Sequence, residues 1–391
     1  MKHLINPRIS NIEVSGIRMI VNRTLHMEDV INLTFGQPDF PTPEYIKEAG
    51  ISAIKNNHTS YTENDGILEL RSATAEYMQK HYSLNYNPHD EILMTTGASE
   101  GLDIAFRTIL TEGCEVILPG PVYVGYEPFI KLAGAVPVFA DITKSDFRMT
   151  ADVIEKYLTE KTRCVVLSSP GNPTGAVLTN REICEISELL RDKDIFVISD
   201  EVYSALVYEG EHYSIAAAPG MKNKTIVVNA LSKSHAMTGW RIGFNLAPAY
   251  LTEEMYKLHA FQAVCASSMS QQAALSALRE SSQREVAGMR ESYKRRKDFV
   301  YNRLKAMNLE VIEPQGAFYV FPSIKYTGLT SMDFAMDLLE RERVAVIPGV
   351  AFSELGEGYF RISFAQSMAE LEEGMDRVER YLTSLKTSVV S

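Results

Sequence analysis

Lys233 follows an apolar run, Thr225 to Leu231, that reads as a buried strand, so the chain delivers an amine to a strand end. Such a lysine is either an ordinary surface group or a nucleophilic amine held at a ligand site. Arg241, eight positions later, adds a second cation to the same stretch. Asp200 closes another apolar run, which begins at Ile195. Buried there, its carboxylate needs a positive partner; otherwise it serves as a helix N-cap. Arg361 stands within the apolar alternating stretch Tyr359 to Phe364, where an unpaired guanidinium is costly. Its planar fork wants a carboxylate, supplied by the protein as an ion pair or by a substrate gripped in bidentate fashion.

Three loops carry further candidates. Ser168 to Gly175 follows a buried run, and its two prolines and two glycines demand a rigid, sharply turned loop that fixes the Asn172 amide. Thr95 to Gly101 joins a strand to a helix through small residues, Ala98 and Ser99 among them. Backbone amides there can meet an anion, and the helix dipole favours negative charge. The same stretch also matches the Gly-x-Ser-x-Gly elbow of α/β-hydrolases, in a strand-turn-helix context. In that alternative Ser99 is the nucleophile, Asp200 the acid, and His235 or His259 the base. Against it, no His-Gly-Gly oxyanion loop precedes the elbow, and Lys233, Arg241, Asn172 and Arg361 are left without a task. Tyr123, after the run ending at Leu118, offers a ring for stacking or simply fills core.

These residues need a scaffold that brings strand ends together. From about Ile46 the chain alternates short β-rich runs with helical patterns. Ile92 to Thr95, Glu115 to Leu118, Val136 to Ala140, Cys164 to Leu167, Ile195 to Ser199 and Thr225 to Ala230 read as strands. Ala151 to Leu158 and Asn180 to Leu190 read as amphipathic helices. This βαβα rhythm predicts a mostly parallel sheet covered by helices on both faces, with ligands at the carboxyl ends of the strands. Near residue 270 the rhythm changes. A long helical region, Ser270 to Met307, leads to strand-like runs at Ala317 to Phe321, Val344 to Ile347 and Phe360 to Phe364, which predict a smaller α/β domain. The expected division is a segment 1–45 packing with the small domain or a partner subunit, a large domain 46–284 and a small domain 285–391.

Composition excludes several classes. A net charge of −11 with no offsetting Lys/Arg block argues against nucleic-acid binding. The N-terminus lacks the apolar core of a signal peptide and no apolar run is long enough to span a bilayer, so a soluble, cytoplasmic protein with no membrane partner is expected. Four scattered cysteines without CxxC spacing and eight dispersed histidines give no support to disulfides or a metal site.

Taken together, the Leu231 to Gly243 segment with Ser232, Lys233 and Arg241, the Asn172-Pro173-Thr174-Gly175 loop, the Ser199 to Tyr203 strand end and Arg361 resemble the class I/II aminotransferases of PLP-enzyme fold type I. The similarity runs from Gly36 to Arg361. It implies an α/β fold whose large domain holds a mostly parallel sheet of the seven-stranded type between helices, beside a smaller α/β domain. It implies pyridoxal 5'-phosphate (PLP) held by Lys233 as a Schiff base. Arg241, with Ala98, Ser99 and Ser232, would serve the cofactor's phosphate end; Asp200 would serve the pyridinium, Tyr203 and Asn172 the phenolic oxygen, and Tyr123 the ring face. Arg361 and Asn172, with Gly36, would hold the substrate. Tyr61, in Ser60-Tyr61-Thr62, resembles a tyrosine lent to the neighbouring subunit's phosphate, which implies a homodimer with shared sites.

Within the family, Ile12 to Arg18, Phe35 to Phe40 and Leu231 to Trp240 are most similar to the bacillary N-acetyl-diaminopimelate aminotransferases of lysine biosynthesis. That implies N-acetyl-LL-2,6-diaminopimelate and 2-oxoglutarate as the amino-acid and 2-oxo-acid pair. A broad aromatic or aspartate aminotransferase, and a cystathionine β-lyase-like enzyme on the same fold, are the alternatives. Arg18 and Arg23 are candidates for a remote substrate carboxylate.

Overall fold

The computed structural model describes residues 1–10, 12, 16–25, 27–279 and 283–389. Its strands are β1 (Ile31–Asn32), β2 (Ile92–Thr95), β3 (Glu115–Gly120), β4 (Val136–Asp141), β5 (Thr162–Ser168) and β6 (Phe196–Asp200). They continue with β7 (Thr225–Ala230), β8 (Gly243–Leu246), β9 (Tyr319–Val320), β10 (Val344–Ala345), β11 (Ile347–Pro348) and β12 (Phe360–Ser363). Seven of them form one sheet in the order β2-β8-β7-β6-β5-β3-β4. β8 runs antiparallel to both its neighbours, β2 and β7, and the other pairings in the sheet are parallel.

Continuous apolar runs make these strands because both faces are covered. Along β5, Cys164 and Val166 enter one core while Val165 and Leu167 enter the core on the opposite face. The helix Asn180–Leu190 opens on a reciprocal Thr179–Glu182 cap and turns Ile183, Ile186, Ser187 and Leu190 inward, a helical stripe laid on the sheet. A third core, around Phe318, Phe334, Phe360 and Tyr381, lies mainly in the C-terminal part and also takes in Ile20, Leu33, Tyr203 and Leu206. There β12 is the middle strand of a small antiparallel sheet with β11 and β9, and β1 pairs in parallel with β10.

The predicted runs fall on β2 to β7, lengthened or shifted by a residue or two. β8 was not predicted, because Asn245 interrupts its apolar pattern; that amide donates to the Gly101 carbonyl at 2.9 Å. The expected long helix divides into Ser268–Ala277 and Gln283–Ala306, and Ala151 to Leu158 keeps helical form only over Ala151–Glu155. At the carboxyl ends of the large sheet, β2 leads into the helix Gly97–Ile109, β3 into Tyr123, β5 into the Asn172 loop, β6 into Tyr203 and β7 into Lys233. β12 brings Arg361 to the same place from the other sheet.

Candidate active site

The strand ends surround a cavity of about 500 Å³. Gly36, Ala98, Ser99, Tyr123, Asn172, Asp200, Tyr203, Ser232, Lys233, Arg241 and Arg361 all line it. Its charged lining is three cations, Lys233, Arg241 and Arg361, against the single carboxylate of Asp200, so the cavity suits an anionic ligand.

Lys233 lies in the short helix Leu231–Ser234, and its Nζ donates to the Gly36 carbonyl. Burial, with Arg361 and Arg241 close by, lowers its ammonium to about 8, while Asp200 acts in the opposite sense. Asp200 is itself buried, and burial raises its carboxyl to about 6. The Tyr126 hydroxyl donates to its Oδ2 at 2.6 Å and the Val202 N–H to its Oδ1 at 3.2 Å, both favouring the anion.

Arg361 is 3% exposed and makes no ion pair among the described residues. Its Nη1 donates to Asn172 Oδ1 at 3.0 Å and its Nη2 to the Thr34 carbonyl at 2.6 Å, and its Nε has no partner. The guanidinium carbon lies 4.4 Å from the Tyr319 ring centroid and 5.0 Å from that of Phe352. Burial lowers the Arg361 pKa, with Tyr319 and Tyr203 opposing. The structural ion pair considered from the sequence is therefore absent, and the guanidinium faces the cavity without a carboxylate.

The helix Gly97–Ile109 begins at another part of the cavity wall. No side chain caps it at Thr96, and Ala98 and Ser99 line the cavity. Gly97 has φ +76°, and a Cβ on it would meet Arg241 Nη2 at 2.4 Å. The arginine is thus packed directly on the first turn, so backbone amides and a guanidinium share one corner.

Tyr61 is not brought to the cavity of its own chain and stands 81% exposed. The hydrolase triad is not assembled. His235 bonds Ser234 and is fully buried, His259 bonds Glu100 Oε1 at 2.8 Å, and Asp200 bonds Tyr126. Among the described residues no histidine bonds Ser99, whose hydroxyl instead meets Tyr123. Arg23 pairs with Glu340 on the surface at 3.2 Å and does not line the cavity. The Arg18 side chain, like residues 13–15 of the segment Ile12 to Arg18, lies outside the described residues.

Sequence reasoning assigned no role to Tyr126, Tyr319 and Thr34. Tyr126 belongs to the same turn as Tyr123, and its buried hydroxyl needed a partner. Tyr319 bonds the Tyr203 hydroxyl at 2.8 Å.

Comparison with known proteins identifies the family. The family described as aminotransferase class I and II matches residues 28–378. The probable N-acetyl-LL-diaminopimelate aminotransferase of Bacillus subtilis is 53% identical, over 98% of this chain and 96% of its own length. The aromatic-amino-acid aminotransferase 2 of Thermococcus litoralis is 42% identical, over 98% of this chain and 99% of its own. The solved structure of the Thermus thermophilus aspartate aminotransferase with maleate superposes with a TM-score of 0.92 at 33% identity, covering 96% of this chain and 99% of that one. Sequence and fold agree over nearly the whole length, and the chain belongs to the class I and II aminotransferases.

Proposed function

We propose that the cavity binds PLP and that the enzyme moves an amino group from an amino acid to a 2-oxo acid. The observation that carries this reading is Lys233: an amine with its pKa lowered to about 8, set in one cavity with a buried carboxylate and two arginines. The residues present fit the group. The uncapped helix start at Ala98 and Ser99, with Arg241 and Ser232, would take its phosphate. Asp200, buried and bonded by Tyr126, would hold the ring nitrogen in its protonated form, Tyr203 and Asn172 would meet the phenolic oxygen, and Tyr123 would cover the ring. When bound, PLP supplies a carbonyl for the incoming amine and an electron sink for the charge left on the α-carbon.

The remaining work falls to the protein. Lys233 Nζ, partly unprotonated at neutral pH, is the group that takes and returns the α-proton. Arg361, buried without a carboxylate, holds the substrate α-carboxylate together with Asn172, beside the Gly36 turn. We assign N-acetyl-LL-2,6-diaminopimelate and 2-oxoglutarate as the pair, on the similarity to the Bacillus subtilis relative. Aromatic and aspartate substrates are the second reading, on the Thermococcus litoralis and Thermus thermophilus relatives. We further assign the large domain to 46–284 and the small domain to 285–391, and a homodimer in which Tyr61 reaches the neighbouring phosphate.

The test is the absorbance spectrum of the purified chain with added PLP. A yellow band that bleaches with L-glutamate and returns with 2-oxoglutarate is expected. N-acetyl-LL-2,6-diaminopimelate should then exceed aspartate and phenylalanine in kcat/KM by at least about tenfold. A chain that stays colourless overturns the cofactor assignment. Bound PLP that releases ammonia and pyruvate from sulfur amino acids, without a 2-oxo acid, favours the β-lyase instead.

A further inference from the structure

Behind the corner formed by Ala98, Ser99 and Arg241 lies a buried, hydrogen-bonded Glu100–His259 pair that the proposed chemistry does not use. Glu100, in the first turn of the helix Gly97–Ile109, turns its carboxylate back on the helix start. Its Oε2 accepts the Thr96 N–H, and the Thr96 hydroxyl also bonds it. Its Oε1 is 2.8 Å from His259 Nδ1. His259 comes from the separate helix Ala249–Gln262 and is 0% exposed, and its Nε2 has no partner. Glu100 is held below its usual carboxylate range: burial opposes this, but the bonds from His259 and Thr96 outweigh it.

Two consequences follow from elementary accounting. A helix has four N-terminal N–H groups without intrahelical partners, and a carboxylate that takes the Thr96 N–H leaves those of the next residues for a ligand. The same carboxylate is a fixed negative charge one turn from a site meant for a phosphate dianion, and alone it would repel that ligand. Asp103, one turn on, is taken up by Arg107 at 2.8 Å. Among the described residues, the group from another helix that bonds the Glu100 carboxylate is His259.

We infer that Glu100 and His259 act as a positioning pair for the phosphate corner: Glu100 ties back the helix start, and His259, bonded through Nδ1 from a second helix, holds that carboxylate turned away from the ligand. The inference rests on the proposal that the cavity holds PLP. Neither residue lines the cavity, so their effect should reach the phosphate and no other part of the ligand.

The test is titration of the full-length chain with PLP and with pyridoxal, which lacks the phosphate, followed by absorbance. In the wild type PLP binds far more tightly than pyridoxal. His259→Leu leaves the Glu100 carboxylate unpaired, and the preference for PLP over pyridoxal should fall by about tenfold or more while pyridoxal binding holds. Glu100→Gln combined with His259→Leu keeps an acceptor for the Thr96 N–H but removes the carboxylate charge, and the preference should return to within about threefold of wild type. Pyridoxal binding reports folding in each variant. An equal loss for both ligands in His259→Leu, or no recovery in the double variant, overturns the pair's role. A wild-type chain that takes up neither ligand overturns this inference and the cofactor assignment together.

Discussion

Burial, with Arg361 and Arg241 nearby, brings the Lys233 ammonium from an ordinary 10.5 to about 8, so the cofactor-free fold carries that proton at a cost. Between those values the unfolded chain binds more protons at this position than the folded one, so stability rises with pH across the window. Below pH 8 both states are protonated and the whole penalty is present, roughly 3 kcal/mol for a shift of this size. Lys233→Met should therefore abolish transamination, yet stabilise the cofactor-free chain at pH 7 by roughly 1 to 3 kcal/mol and flatten the rise between pH 8 and 10.5. Urea melts across that range, beside a coupled assay, check both halves; normal turnover in the variant would remove Lys233 from the chemistry. Arg361 calls for a different substitution. Arg361→Lys keeps the charge but loses the fork that meets Asn172 and Thr34, so the KM for the amino donor should rise about a hundredfold with PLP binding unchanged. Tyr126→Phe withdraws the hydroxyl that favours the Asp200 anion, and kcat should fall by about tenfold or more while the melting temperature stays near wild type.

The element that most constrains the site is the first turn of the helix Gly97–Ile109, because Arg241 is laid on it. Gly97→Ala demands a side chain at φ +76°, with its Cβ 2.4 Å from Arg241 Nη2. Thermal melts should show a loss of about 1 to 2 kcal/mol, and dialysis should show PLP escaping at least about tenfold faster. An unchanged rate of loss would mean that Arg241 does not depend on that turn. This contact also marks where sequence reading stops. Lys233, Asp200 and Asn172 were legible because each lies just past an apolar run, and an apolar run of four to seven residues marks a buried parallel strand. Their convergence followed from the βαβα rhythm, which puts successive strand ends on one edge. Tyr126, Tyr319 and Thr34 carried no such mark. A tyrosine in an apolar stretch looks like core, and its hydroxyl finds a partner across 74 residues in Tyr126–Asp200 and 116 in Tyr203–Tyr319. β8 escaped for a related reason: Asn245 breaks its apolar pattern to satisfy a helix carbonyl, a contact that exists only once the helix is docked.

At the scale of the whole molecule, Tyr61 is the residue on which the proposed dimer turns. It is 81% exposed, and Phe261 is 95% exposed. Asn64 joins their two segments, donating to the Val264 carbonyl at 2.7 Å and accepting from the Tyr256 hydroxyl at 3.0 Å. The two aromatics therefore belong to one neighbourhood of the surface, and large apolar groups left bare in this way mark an interaction face. A twofold dimer through this face would let each Tyr61 serve the neighbouring cavity. Phe261→Glu should then sediment as a monomer and lose PLP on dialysis. Mixing two dead variants separates a shared site from mere association. Lys233→Ala kills its own cavity but keeps Tyr61 to lend, and Tyr61→Ala keeps Lys233 but lends nothing. Subunits exchanged at random give hybrid dimers with one complete site each, and activity should return to roughly a quarter of wild type. If mixing restores nothing while sedimentation still shows hybrids, Tyr61 works within its own chain or not at all, and the dimer is an association without a shared active site.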